Sequence, residues 1–254
     1  MRRVVFNQKG GVGKSSITCN LAAISAAQGK PTLVLDLDPQ GNSTHYLMNQ
    51  PATQLNGSLF DFFERSLSLG GSRKSIEELI HATPYPNLFV LAAHPELESL
   101  EAKLESRYKI YKLKEALASL EDQFAEIWID TPPALNFFSR SALIAAQRCL
   151  IPFDCDAFSR QALYSLQGAI EELRVDHNPD LEIEGIIVNQ FNAQAKLPQQ
   201  LIEALLEEGH PLLDVHLSSS VKMRESHQVS QPLIHYAPKH KLTQQFEALY
   251  RSIT

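Results

Sequence analysis

Cysteine is scarce in this chain. Its three residues, Cys19, Cys149 and Cys155, form no spaced metal motif and cannot all pair. A disulfide framework is therefore excluded, and a reducing cytosol is the simplest setting. Long apolar runs are missing too: none approaches the ~18–20 residues that a membrane helix needs. Val4-Val5-Phe6 runs directly into glycine-rich sequence and is too short for the apolar segment of a signal peptide. Without Gly/Ser or Pro-rich linkers, repeats or low-complexity tracts, nothing in the sequence divides the chain, and one domain over residues 1–254 is expected.

What is present is enough apolar residue, 44%, for a sizeable core. The net charge of −6 is unevenly spread: residues 1–50 carry five Lys/Arg against two Asp/Glu, and residues 215–254 again five against two, with four histidines. An acidic total does not favour nucleic acid as a partner, but local basic faces can still hold phosphate backbones.

Periodicity suggests strands at 2–7, 32–36, 87–93, 124–130, 148–153 and 183–189. Helical patterns cover 14–28, 96–122 with a break, 139–147, 160–177, 196–208 and 239–253. Residues 51–86 are the least readable. Alternating strands and helices predict an α/β fold, a mostly parallel twisted sheet with helices on both faces. Ligands of such sheets sit beyond the carboxyl ends of the strands, where the informative residues fall.

Between the first strand and the first helix stands Asn7-Gln8-Lys9-Gly10-Gly11-Val12-Gly13-Lys14-Ser15-Ser16. Glycines let a backbone wrap closely and turn its N–H groups inward onto phosphate, and the helix adds its N-terminal dipole. Gly10, Gly11, Val12, Gly13, Lys14, Ser15 and Ser16 are thus the expected nucleotide cradle. Lys14 supplies charge to the β- and γ-phosphates, and the Ser15 hydroxyl a ligand for Mg²⁺. The general pattern has glycine six positions before the lysine; here that position is Gln8, and Lys9 is an additional cation.

Asp36 and Asp38 follow the second strand, where a carboxylate can hold metal-bound water or orient the water that attacks the γ-phosphate. Ile127-Trp128-Ile129-Asp130 is an apolar strand ending in a carboxylate, so Asp130 is expected to bind Mg²⁺ through water. Asn189 closes another strand, with an amide able to pair with both edge groups of adenine. Phe137 and Phe138 are expected in the core, with a dimer face as the alternative.

Lys-Gly-Gly-Val-Gly-Lys-Ser resembles the deviant phosphate loop of the ParA/MinD ATPases, and Asn-Gln before it is similar to the ParA branch. Asp36-Leu37-Asp38-Pro39-Gln40-Gly41 and Asp130-Thr131-Pro132-Pro133 resemble the family's two switches; Ser220–Ser226 with Pro232 resembles its base-binding loop more loosely. The resemblance is strong at 4–44, good at 124–153, moderate at 183–240 and poor at 51–120. It implies a P-loop NTPase fold with ATP and Mg²⁺ as cofactors. Lys9 would then reach across a homodimer to the partner's nucleotide, Asp38 would position catalytic water and Asp36 would be its metal-side neighbour.

The resemblance further implies a cytoplasmic switch that positions or partitions a cargo. Its ATP dimer binds DNA non-specifically and a ParB-like or cargo adaptor stimulates hydrolysis. Lys222 matches one basic position of the family; Arg224, Lys196, Lys239, Lys241 and Arg251 are neighbours, while Gln194 replaces a frequent arginine. MinD-like members end in a basic membrane helix, but Leu242, Phe246, Leu249 and Ile253 with only Lys241 and Arg251 as cations read as a core-packing helix. A metabolic ATP-dependent enzyme on the same scaffold and a non-hydrolysing adaptor are the other readings.

Overall fold

The computed structural model describes residues 1–68, 75–155 and 159–254. Its strands are β1 (Arg2–Val5), β2 (Thr32–Asp36), β3 (Ile80–Ala82), β4 (Leu88–Leu91), β5 (Glu126–Asp130), β6 (Arg148–Asp154) and β7 (Glu182–Asn189). They form a seven-stranded sheet in the order β3-β4-β2-β5-β1-β6-β7. Every pairing is parallel except that of β3 with β4. From β1 the chain builds outward first to β2 and β4, later to β6 and β7, so a crevice is expected at the carboxyl end of β1.

The helices are α1 (Lys14–Ala27), α2 (Asn42–Met48), α3 (Leu59–Leu67), α4 (Leu97–Ser106), α5 (Lys112–Ala118), α6 (Phe137–Ala145), α7 (Ser159–His177), α8 (Lys196–Glu207), α9 (Val221–Gln228), α10 (Leu233–Tyr236) and α11 (Lys241–Ser252). Side chains alternate across a strand, so each central strand feeds two cores. In β2, Leu33 and Leu35 join a cluster with Phe63, Leu104, Leu113, Phe137 and Phe138, whereas Val34 joins one with Ile17, Leu21, Trp128 and Phe246. Helices therefore cover both faces, as the near-continuous apolar strands require.

The expected break within 96–122 falls between α4 and α5. Phe137 and Phe138 are fully buried, packed edge-on against Phe63 at 5.7 and 5.5 Å, which settles them as core. The α11 face of Leu242, Phe246, Leu249 and Tyr250 is buried as well. Tyr250 Oη donates to Glu126 Oε1 at 2.6 Å, and Arg3 binds both Glu184 and the Ile253 carbonyl, which anchors α11 to the amino ends of the strands. Among the described residues no helix is long and apolar enough to cross a membrane. Of the unread stretch 51–86, residues 69–74 lie outside the described residues; the remainder contains α3 and the edge strand β3.

Candidate functional site

β1 stops at Val5 and the chain turns through the glycine-rich loop before α1 starts at Lys14. Gly11 and Gly13 are left-handed, with φ of 76° and 92°. At Gly13 a side chain is impossible for a second reason, because a Cβ would lie 2.3 Å from Asn189 Nδ2. A Cβ at Gly11 would meet nothing within 4 Å, so there the left-handed backbone alone calls for glycine. Asn7 braces the loop: its Oδ1 accepts from Lys9 N at 2.9 Å and its Nδ2 donates to the Pro152 carbonyl at 2.7 Å.

The loop walls a cavity of about 500 Å³ bounded by Gly10, Lys14, Ser15, Asp38, Pro133 and His227. An adjoining cavity of about 430 Å³ lies against Asn189, Gln190, Ser218–Ser220, Met223 and Arg224. Ser16 and His227 border both. Together they form a cleft with a phosphate end and a base-sized end.

Strand register places the buried carboxylates of Asp36 and Asp130 on neighbouring strands, opposite one another. Burial holds Asp36 well above the usual carboxylate range, with repulsion from Asp130 adding to it. Burial likewise pushes Asp130 up to about 6, against hydrogen bonds from Ser15 and Ser43. Ser43 Oγ lies 2.6 Å from Asp130 Oδ2. A desolvated carboxylate bonded to the hydroxyl of the loop serine is a donor set that fits Mg²⁺, since a cation would relieve the stored repulsion. Lys14 is nearly buried; desolvation lowers its pKa while Asp130 and Asp38 oppose that. Its Nζ reaches the Lys9 carbonyl at 3.1 Å.

The two switch aspartates separate in role. Asp38 lines the phosphate end of the cleft, as a water-positioning carboxylate must. Asp36 does not reach the cleft wall: its Oδ2 accepts from Thr44 N at 2.7 Å and Thr44 Oγ1 at 2.8 Å, and its Oδ1 from Asp38 N at 3.2 Å. It caps the first turn of α2 from the sheet and so holds that turn against the end of β2.

Asn189 is brought to the cleft, but its Nδ2 is used on the Val12 carbonyl at 2.9 Å, which ties β7 to the phosphate loop. Gln190 repeats this on Gly11 O at 3.0 Å. Lys9 lies outside the cleft lining, its amine on Asp154 at the end of β6. Lys222 is paired with Glu225 and lies over the Tyr236 ring, whereas Lys196, Arg224, Lys239, Lys241 and Arg251 are exposed. Arg224 faces the base end of the cleft, and Lys241 shares an open groove with Gln194 and His216.

Sequence reasoning missed His227. Its Nε2 is 3.0 Å from Ser16 Oγ and its ring packs edge-on against Tyr46 at 4.7 Å. Tyr46 Oη in turn reaches Ser226 Oγ at 3.0 Å and the Gln231 carbonyl at 3.2 Å. No local pattern announces this cluster, because α1, α2 and α9 contribute one part each.

A parallel sheet, a glycine loop running into a helix N-terminus and a carboxylate on the adjacent strand define a P-loop nucleotide-binding protein. A family model described as an AAA domain matches residues 3–183. The chain is 31% identical over 98% of its length to the chromosome partitioning protein ParA of Myxococcus xanthus, of which it covers 86%. Two solved structures share the fold. Apo McdA from Cyanothece has a TM-score of 0.86 at 20% identity, with 100% of this chain and 99% of that one covered. Cobyrinic acid a,c-diamide synthase from Mycobacterium smegmatis, with bound ATP analog and magnesium, has 0.85 at 23%, with 98% and 92% covered. The chain belongs to the ParA/MinD family of ATPases.

Proposed function

We propose that this chain is an ATP-driven positioning switch of the cytoplasm. Two copies close face to face over bound ATP, the dimer associates with the nucleoid through non-specific DNA contacts, and an adaptor protein stimulates the hydrolysis that separates them. Residues 1–254 act as one domain. The backbone N–H groups of Gly10–Ser16 and the Lys14 amine hold the phosphates. Ser15, with Asp130 acting through water, holds Mg²⁺, which would neutralise charge on the β- and γ-phosphates. Asp38 orients the attacking water, and Asp36 keeps the first switch seated on the sheet. Asn189 offers its remaining amide oxygen to the base. Lys196, Arg224, Lys239, Lys241 and Arg251, with Lys222 once it leaves Glu225, meet DNA phosphates.

One observation carries this reading. Lys9 belongs to the phosphate loop by sequence, yet its amine lies outside its own cleft, where Lys14 already supplies the cation. A second loop lysine whose amine turns from its own cleft to Asp154 is suited to a neighbour's nucleotide. The relatives named for chromosome partitioning support the same direction.

ATPase activity and sedimentation, with and without duplex DNA at two salt concentrations, test the proposal. The expected result is an ATP-dependent dimer that binds DNA and loses it as salt rises, because such affinity is mostly counterion release. A Lys9→Ala chain that still dimerises with ATP overturns it, and so does turnover that yields a modified small molecule.

A further inference from the structure

α4 ends in a closure in which Tyr108 N donates to the Glu105 carbonyl and Lys109 N to the Leu104 carbonyl, both at 3.0 Å. The residue between cap and exit, Tyr108, is left-handed with φ of 54°. The same closure ends α1 at Gly29, α8 at Gly209 and α9 at Ser230. Glycine takes this conformation without steric cost, which is why it dominates the position. Ser230 has a compensating role, since it is buried and its carbonyl accepts from Tyr85 Oη at 3.3 Å. Tyr108 has neither excuse. It is bulky, 89% exposed, and its side chain makes no hydrogen bond or ring contact among the described residues. A ring held in solvent by a strained backbone is a group presented rather than packed.

We propose that the α4–α5 junction is a docking site for an acidic segment of a partner protein, with Tyr108 as its anchoring ring. Residues 106–114 read Ser-Arg-Tyr-Lys-Ile-Tyr-Lys-Leu-Lys: four cations and no acid, in a chain whose net charge is −6. Arg107 is steadied by the Leu67 carbonyl at 2.6 Å and Lys114 by Asn178 Oδ1 at 3.4 Å, neutral partners that leave both charges in place. Lys112 is shared with Glu115. Tyr111 adds a second partly exposed ring, its hydroxyl on His177 Nδ1 at 2.8 Å. Tyrosine and arginine are the side chains that interface centres favour. A duplex needs a broader run of cations than these four, whereas a short acidic segment can be matched by them.

α7 runs from the carboxyl end of β6 to the amino end of β7, so His177 marks the end of the sheet away from the phosphate loop. A segment seated here leaves the nucleotide cleft open, and the site stands whether or not the nucleotide reading holds.

The test is fluorescence anisotropy of a labelled dodecapeptide of glutamate, aspartate and leucine against the full chain. A peptide with lysine in place of its acids and a labelled duplex DNA are run beside it. The acidic peptide is expected to bind saturably, less tightly as salt rises, and without ATP; the lysine peptide is not. Tyr108→Gly and Lys109→Glu should each weaken it by about tenfold, the scale of a lost interface anchor. Tyr108→Gly should melt no lower than the parent chain, because glycine relieves the strained closure, so lost binding cannot be lost folding. Absent binding of the acidic peptide, or unchanged binding by Tyr108→Gly, overturns the proposal. So does duplex binding that Lys109→Glu abolishes while the acidic peptide is ignored.

Discussion

Lys9 and Asp154 form an ion pair across the mouth of the sheet, the Lys9 amine 3.0 Å from Oδ1 and 2.8 Å from Oδ2. Both side chains are partly open to water, 37% and 25% exposed, so solvent screening keeps the pair modest. It is still a contact that Lys9 must leave before it can reach a second copy of the chain. Asp154→Ala should therefore lower the ATP concentration needed for dimerisation, by about two- to fivefold for an ion pair worth about 0.5–1 kcal/mol. Analytical ultracentrifugation across an ATP titration reads this directly. Unchanged or weaker dimerisation would show that the ion pair does not restrain Lys9.

The raised pKa of Asp130, about 6, gives a pH dependence with a definite sign. An unfolded aspartate titrates near about 3.9, so between those values the folded nucleotide-free chain binds a proton that the unfolded chain does not. Stability from this group is therefore greatest at the acid end of the window and is lost as pH rises through about 6. Asp130→Asn should reduce that part of the melting-temperature dependence and leave what the buried Asp36 carboxyl contributes. Metal binding runs the other way, since the proton competes with the cation. Mg²⁺-dependent ADP affinity should fall about tenfold per pH unit below that value, as measured by calorimetry.

His227 reaches Ser16 from α9 and borders both ends of the cleft. His227→Ala should raise KM for ATP about three- to tenfold, the scale of one lost hydrogen bond, with kcat nearly unchanged. His227→Asn, whose amide can donate to or accept from the Ser16 hydroxyl, should recover part of the loss. Equal losses in kcat and kcat/KM would instead place His227 in the chemical step.

Asp38 is the switch carboxylate that lines the cleft, so Asp38→Ala should preserve ATP binding and slow hydrolysis by about 10²–10⁴-fold, the range of a lost general base. Phosphate release under saturating ATP, with nucleotide binding measured in parallel, separates this from a binding defect.

Phe138 is fully buried between Phe63 and Phe137. Phe138→Ala should cost about 3–5 kcal/mol of stability through lost burial and the cavity left behind. Chemical denaturation reads that cost, and a loss confined to dimerisation would contradict the core assignment.

Much of the sheet was legible because its signals are local. β2 carries an unbroken apolar run, and β1, β5, β6 and β7 also lie where periodicity put them. The elements that were missed lack such signals. α2 has seven residues and is capped by Asp36, which lies before it across a turn rather than at its start. α9 buries only Ser226, so no apolar stripe marks it, and β3 is a three-residue edge strand with a half-exposed face. For short elements of this kind, tertiary contacts outweigh propensity.

The phosphate loop was determined by contiguous sequence, since left-handed glycines, the cation at Lys14 and the start of α1 need only neighbours along the chain. The paired carboxylates were likewise readable as strand ends. Only the tertiary structure decided that Asp38 faces the cleft while Asp36 turns inward to Thr44, that Asn189 braces the loop, and that Lys9 rests on Asp154. The reason is distance along the chain. A motif fixes which groups are present within a few residues, but Lys9 and Asp154 are 145 residues apart. Whether such groups meet depends on the register and packing of the strands that carry them.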